Sequence, residues 1–208
     1  KDIPGFEILH SWRDDRTGGG WCACPQCKNL NASEQSLKII NQVAKRLPLD
    51  DQITLSHVAY HETITNAPEK VKPNKHVNLL YAPRERCYKH PINKGNANSK
   101  YYQWLKAQYK AMPKRAQVFE YYHDPVLFRQ LPMPLHPVIG PDIKAYKKVG
   151  IDRIGSLTFQ KYAEYAYGPN FYVLANCLWR GKGNPNDIIE YCDALYGPSG
   201  TDMLAYFD

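Results

Sequence analysis

A chain of 208 residues, 43% hydrophobic and 23% charged, has the composition of an ordinary globular protein with room for a sizeable core. No apolar run approaches the roughly 20 residues of a membrane-spanning helix. The net charge of +7 comes from scattered lysines and arginines, with no basic cluster longer than two residues and no aromatic RNA-binding motif, which argues against nucleic acid as a partner. The chain opens at Lys1, without Met and close to an apparent strand. It is therefore expected to be a piece of a larger parent whose remaining strands are its first partner, with no targeting signal to read.

Phe6–Trp12 reads as a first strand, followed by Arg13, Asp14 and Asp15. After Gly18-Gly19-Gly20 comes Cys22-Ala-Cys24-Pro-Gln-Cys27, three thiols that a tight loop can turn toward one tetrahedral metal. Cys22, Cys24 and Cys27 are thus candidate ligands of a structural zinc, with Cys87 or His90 as a fourth. A disulfide from Cys22 or Cys24 to Cys87 and plain reduced thiols are the alternatives, and catalysis is expected to need no cofactor.

Ser33 is placed to cap a helix over Glu34–Arg46, with Leu37, Ile40, Val43, Ala44 and Leu47 on one face and Pro48 beyond its end. Ile53–Tyr60 is the second strand, leading to His61 and Glu62, and Val77–Tyr81 the third, leading to Arg84 and Glu85. Ser99 would cap a second helix through Tyr102, Leu105 and Tyr109, stopped by Pro113. Gln117–Tyr122 is the fourth strand, running into His123 and Asp124. A Pro-rich loop then leads to a short helix, Asp142–Val149, and to a fifth strand, Arg153–Thr158. Phe159–Trp179 reads as helical at both ends and split at Gly168-Pro169. Pro185 opens a helix over Asn186–Tyr196 with Ile188, Ile189, Cys192 and Leu195 inside, and Thr201–Asp208 begins another.

Strand and helix alternate throughout, which calls for parallel pairing. The expected fold class is α/β: parallel βα units forming the C-terminal part of a TIM (β/α)8 barrel, about strands 4–8, over residues 1–158. Helices over 159–208 would follow it, and an open parallel sheet is the competing architecture. Reactive side chains cluster after successive strands, where a parallel α/β enzyme opens its binding loops.

A series of motifs in this order carries a resemblance. It comprises the Gly-rich turn with Cys-x-Cys-x2-Cys, Ala59-Tyr60, Asn78-Leu-Leu, Arg86-Cys87-Tyr-Lys-His90-Pro91 and Phe119-Glu-Tyr-Tyr122. It continues with Asn170 to Trp179, Asp187-Ile-Ile, Tyr196-Gly197 and Met203 to Tyr206. The chain resembles, over nearly its whole length, the bacterial glycoside-hydrolase-like barrel family catalogued as domain of unknown function 4838. The resemblance implies a (β/α)8 glycosidase scaffold and a polysaccharide or glycan substrate, and some relatives are regarded as hydrolases of N-acetylglucosamine-containing glycans. A secreted or periplasmic parent would fit such a substrate. The last strand departs from the pattern, ending Gly155-Ser-Leu-Thr158 where an acidic residue is expected in many relatives.

Glycosidic cleavage uses two carboxyl groups. If Arg153–Thr158 is the eighth strand, Asp15 follows the fourth and Glu120 sits on the seventh, the places that resemble the acid/base and nucleophile positions of retaining barrel glycosidases. Glu120 and Asp15 are accordingly the catalytic candidates, expected to face each other across the strand ends. Trp12, Tyr60, Glu62, Arg84, Glu85, Tyr121 and Tyr122 are the substrate-binding candidates, with Tyr81 in the same aromatic wall. The blander readings are a salt bridge for Glu120, a turn carboxylate for Asp15, a solvated charge run for Arg84-Glu85-Arg86, and structural roles for His57, His61 and His123. A catalytically inactive carbohydrate-binding barrel and a basic surface protein for acidic polymers are the alternative functions.

Overall fold

The computed structural model describes residues 8–12, 15, 17–47, 53–112, 116–158 and 163–207, without the side chains of 163–166. Phe6, Arg13, Asp14, Pro48, Pro113, Phe159 and Asp208 lie outside the described residues. The strands are β1 (Ile8–His10), β2 (Thr54–Ala59), β3 (Val77–Tyr81), β4 (Gln117–Glu120) and β5 (Arg153–Ser156). The helices are α1 (Ala32–Arg46), α2 (Glu62–Thr65), α3 (Asn96–Ala111), α4 (His136–Val149), α5 (Ala163–Arg180), α6 (Asp187–Tyr196) and α7 (Gly200–Phe207).

The strands form one sheet in the order β1-β2-β3-β4-β5. Pairing is parallel, with His10 opposite Ser56, Ser56 opposite Asn78, and Tyr81 opposite Val118. The fold is therefore parallel α/β with trailing helices, as the alternation predicts. A strand order without reversal is that of consecutive βα units. No switch point of a doubly wound sheet occurs among the described strands. Every residue of β2 and β3 is buried, because parallel strands are covered on both faces.

By contact density the chain divides into two compact units. The first runs through Arg84 and takes in Lys100–Phe119 and Gly150–Arg153; the second comprises Glu85–Ser99, Glu120–Val149 and Ile154–Asp208.

In the first unit Leu37, Ile40 and Ala44 of α1 are buried, while Val43 and Leu47 stay 39% and 38% exposed. The apolar stripe is thus narrower than the spacing predicts. Asn31, not Ser33, caps α1: its side chain accepts from Glu34 N at 2.9 Å, and Glu34 Oε2 accepts from Asn31 N at 3.0 Å. Ser33 turns inward instead, its Oγ 3.0 Å from His57 Nε2. One polar contact and a buried histidine thereby outcompete the helix start.

In the second unit α4 begins at His136, six residues ahead of the predicted Asp142, and continues through Pro141. Leu135 supplies the first turn, its carbonyl accepting from Val138 and Ile139. Asn170 of α5 donates to the carbonyls of Tyr122 and Met133 and accepts from Leu135 N at 2.8 Å, which fastens the Pro-rich loop. The α5 backbone breaks at Tyr167, where φ is −123° and ψ 15°, just before Gly168-Pro169. Pro185 precedes the Asn186 cap rather than opening α6. Ile188 and Cys192 join Phe207 of α7 in a small core. Ile189 and Leu195 are 42% and 59% exposed.

Candidate functional site

Side chains alternate across a strand, and residues paired in a parallel register share a face. In the first unit the register puts His10, Ser56, Asn78 and Gln117 on one face. His10 Nδ1 lies 3.0 Å from Ser56 Oγ, and Gln117 Nε2 donates to the same oxygen at 3.3 Å. Trp12 packs edge-on against Phe119 with centroids 5.0 Å apart and remains 45% exposed. The opposite face holds Leu55, His57, Leu79, Tyr81 and Val118 and meets helices. His57 reaches Ser33 of α1, and Tyr81 donates its hydroxyl to the Tyr101 carbonyl of α3 at 2.6 Å.

At the C-terminal ends of β1 and β2 the polar face leads to a cluster around Asp15. Its Oδ1 accepts from the Tyr60 hydroxyl at 2.9 Å and lies 2.9 Å from His61 Nε2. The carboxylate is 80% exposed, whereas the His61 side chain is 11% exposed. His61 foremost, then the Tyr60 hydroxyl and at longer range the Arg84 charge, hold the Asp15 carboxyl below the usual carboxylate range. Asp15 is therefore ionised at neutral pH. His61 adopts φ +48° and ψ −123°, a strained backbone for a residue with a side chain. Its imidazole lies against the Tyr60 ring, with centroids 3.7 Å apart. Glu62 follows at the start of α2 and accepts a hydrogen bond from Gly18 N. Asp15, Tyr60 and His61 thus meet in one unit, with the Arg84 charge at longer range and Glu62 bonded to Gly18 N.

Glu120 lies in the second unit and has a different setting. Within β4 it follows Phe119, so it leaves the strand on the face of Val118. There its Oε1 accepts from Arg86 Nε at 3.1 Å and from the Tyr146 hydroxyl of α4. Oε2 accepts from the Tyr88 hydroxyl at 2.9 Å and from Tyr121 N at 3.3 Å. Arg86 also bridges to Asp142 and donates to the His90 carbonyl at 3.2 Å. The side chains of Arg86, Glu120 and Asp142 have no exposed surface. The sequence reading made Glu120 a catalytic group at the strand ends; in the structure its side chain is buried against Arg86, Tyr88 and Tyr146 of α4, with both oxygens engaged.

Burial works against the Arg86 cation, but Glu120 and Asp142 outweigh it and hold its pKa well above the ordinary arginine value. Burial, opposed by Arg86 and reinforced by Glu120, raises Asp142 to about 6. Tyr122 donates its hydroxyl to Asp142 Oδ2 at 2.9 Å, and Tyr121 is 3% exposed. The sequence made both tyrosines a sugar-stacking surface; in the structure they are core residues. Glu85 is exposed in the same unit.

Arg86, Tyr88 and Tyr146 are partners of Glu120, and Asp142 of Arg86, that the sequence reading missed. Arg86 was taken within a solvated charge run, yet it is 4% exposed. Only its place in Arg86-Cys87-Tyr-Lys-His90-Pro91 signals more.

All six cysteines are free thiols, so none of the expected disulfide pairings is made. Cys22, Cys24 and Cys27 bring their sulfurs within 4.8 Å of one another. In the second unit an open cleft is walled by Lys94, Lys144, Lys147, Lys148 and Lys182, and among the described residues no carboxylate lines it. No helix among the described residues is long and apolar enough to cross a membrane.

The family model described as Domain of unknown function (DUF4838) matches residues 11–208. No curated protein and no solved structure matches the chain.

Proposed function

The chain belongs to the family described as Domain of unknown function (DUF4838), and from its own residues we propose that it is part of a glycoside-hydrolase-type (β/α)8 barrel acting on a polysaccharide or glycan. The observation that carries the reading is the Asp15 cluster. An exposed carboxylate, kept ionised by a tyrosine hydroxyl and a histidine at the C-terminal ends of parallel strands, suits a nucleophile, a general base or the stabiliser of an oxocarbenium-like transition state. The strained backbone of His61 fixes that histidine against Asp15, which is how a site is held ready before substrate arrives.

Asp15 is assigned the ionised role and Glu62, which follows His61 in the chain and accepts from Gly18 N, the role of the second carboxyl group. Trp12 offers the partly open ring on which a sugar would stack. Glu120 is assigned to holding Arg86 and α4 rather than to touching substrate, since hydrogen bonds occupy both its oxygens.

The test is turnover and binding by the full-length parent on a panel of neutral, acidic and N-acetylated glycans. Release of reducing sugar supports the proposal. Saturable binding without release favours the inactive carbohydrate-binding barrel, and neither result on any glycan overturns both.

One observation favours a second reading. The five-lysine cleft, with no carboxylate among the described residues that line it, suits an acidic polymer. Affinity for polyanions that falls steeply with salt and ignores polymer sequence would identify it.

A further inference from the structure

Three thiols in one short loop of the first unit take no part in the proposed hydrolysis. The sulfurs of Cys22, Cys24 and Cys27 lie within 4.8 Å of one another, and none is in a disulfide. The backbone makes the turn: Cys27 N and Lys28 N both donate to the Cys24 carbonyl, at 3.0 and 2.9 Å. Gln35 of α1 then fastens the loop at its two ends. Its Oε1 accepts from Cys22 N at 2.8 Å, and its Nε2 donates to the carbonyls of Cys22 at 3.1 Å and Cys27 at 3.2 Å. One carboxamide, itself 8% exposed, thus sets the outer cysteines in place without an ion. Lys38 of α1 also reaches the loop, its Nζ 4.0 Å from Cys27 Sγ.

The donor set selects the ligand. Thiolates are soft, and three of them converging from one loop suit a d10 cation of tetrahedral preference. Zinc–sulfur bonds of about 2.3 Å put tetrahedral sulfurs about 3.8 Å apart. The observed spread is therefore closed by small side-chain rotations. Among the described residues the group has three members, which leaves one tetrahedral position for a water or another added donor.

We propose that Cys22, Cys24 and Cys27 form a binding site for a single zinc ion, with Gln35 as the residue that positions the loop. Each thiol gives its proton to solvent as its sulfur bonds to zinc, and no oxidant or reductant is involved. The site braces the Gly-rich turn beside it. Gly18, Gly19 and Gly20 have φ of +85°, +119° and +85°, and an added Cβ at any of them would meet nothing within 4 Å. The turn is exposed, and Gly18 N is the donor to Glu62. A metal two residues on ties the turn down where it meets the Asp15 cluster.

The experiment starts from protein purified under reductant and stripped of metal by chelator, to which zinc chloride alone is added. One equivalent should bind, and Cys22, Cys24 and Cys27 should lose reactivity toward a thiol reagent. Cobalt(II) in place of zinc should give the intense visible bands of a tetrahedral thiolate centre. Cys24→Ser should weaken zinc binding on the order of 100-fold or more, and Gln35→Ala about 10-fold. Cys87→Ser should change nothing. Cys177 and Cys192 are buried and outside the count, so undiminished reactivity of Cys22, Cys24 and Cys27 in the presence of zinc overturns the site, and this readout needs no variant to fold. Equal zinc affinity in Cys24→Ser overturns it too. Loss of binding in Cys87→Ser overturns the three-cysteine assignment.

Discussion

Arg86 joins two carboxylates that would otherwise repel each other where neither has any exposed surface. Its Nε serves Glu120, a terminal nitrogen serves Asp142, and the other reaches the His90 carbonyl. Arg86→Met should therefore cost about 3–5 kcal/mol in denaturant unfolding, because removing one partner strands the buried charges of the others. Arg86→Lys should recover little, since a single ammonium cannot replace a planar fork with three partners. Recovery of full stability by lysine would show that only the charge matters. Two buried groups also give stability a pH dependence, with opposite signs. Burial pushes His123, stacked on Phe171 at 3.7 Å, down to about 4 from 6.5. The unfolded chain binds that proton first, so stability is lost as pH falls from 6.5 toward about 4. Asp142 is raised to about 6 from 3.8, so its contribution is complete below 3.8 and is lost as pH rises through about 6. His123→Phe keeps a ring on Phe171 and removes only the first effect. The variant should therefore lose less Tm than the parent between pH 7 and pH 5, and an equal loss would contradict the burial argument.

Elements are held in place here by carboxamides as much as by apolar faces. Gln35 fastens the cysteine loop, Asn170 the Pro-rich loop, and Asn98 the turn after Arg86, bonding Cys87 N and the carbonyls of Cys87, His90 and Pro91. Asn98→Ala should release that turn, read as faster amide exchange over residues 87–91 with little change in the first unit. Close helix contact adds a second device. A Cβ on Gly183 would come 2.8 Å from the Gly140 Cα, and one on Gly140 3.0 Å from the Gly183 Cα. Gly140→Ala should then cost about 1–3 kcal/mol by forcing α4 from the chain after α5. Strand positions were legible in the sequence because short apolar runs between Gly, Pro and charged turns have few other uses. Val77–Tyr81 is predicted and observed with the same bounds. Faces were less legible. Glu120 was expected to face Asp15 across the strand ends, and one residue of register moves a side chain to the other face. Only the pairing of Tyr81 with Val118 fixes it, and no local pattern in Gln117–Glu120 records a partner strand. Helix starts failed for a related reason, since Ser33 and Asn31 are equally good caps until His57 claims Ser33.

Over the whole molecule, parallel pairing in chain order brings the groups after β1, β2 and β3 into one cluster, and the sequence order of those groups foretold it. The buried Arg86 network could not be foretold the same way, because its partners Glu120, Asp142 and Tyr146 come from a strand and a helix distant in sequence. Two carboxylates that the sequence alone made equivalent have different settings: Asp15 is exposed against Tyr60 and His61, and Glu120 is buried with both oxygens engaged, so substrate contact is proposed for Asp15 and a structural role for Glu120. The most direct measurement compares Asp15→Asn and Glu120→Gln in the full-length protein, each by glycan turnover and by Tm. Asp15→Asn should lower kcat by orders of magnitude with Tm unchanged, whereas Glu120→Gln should lower Tm by several degrees. Turnover at the parental rate in Asp15→Asn would contradict the central claim.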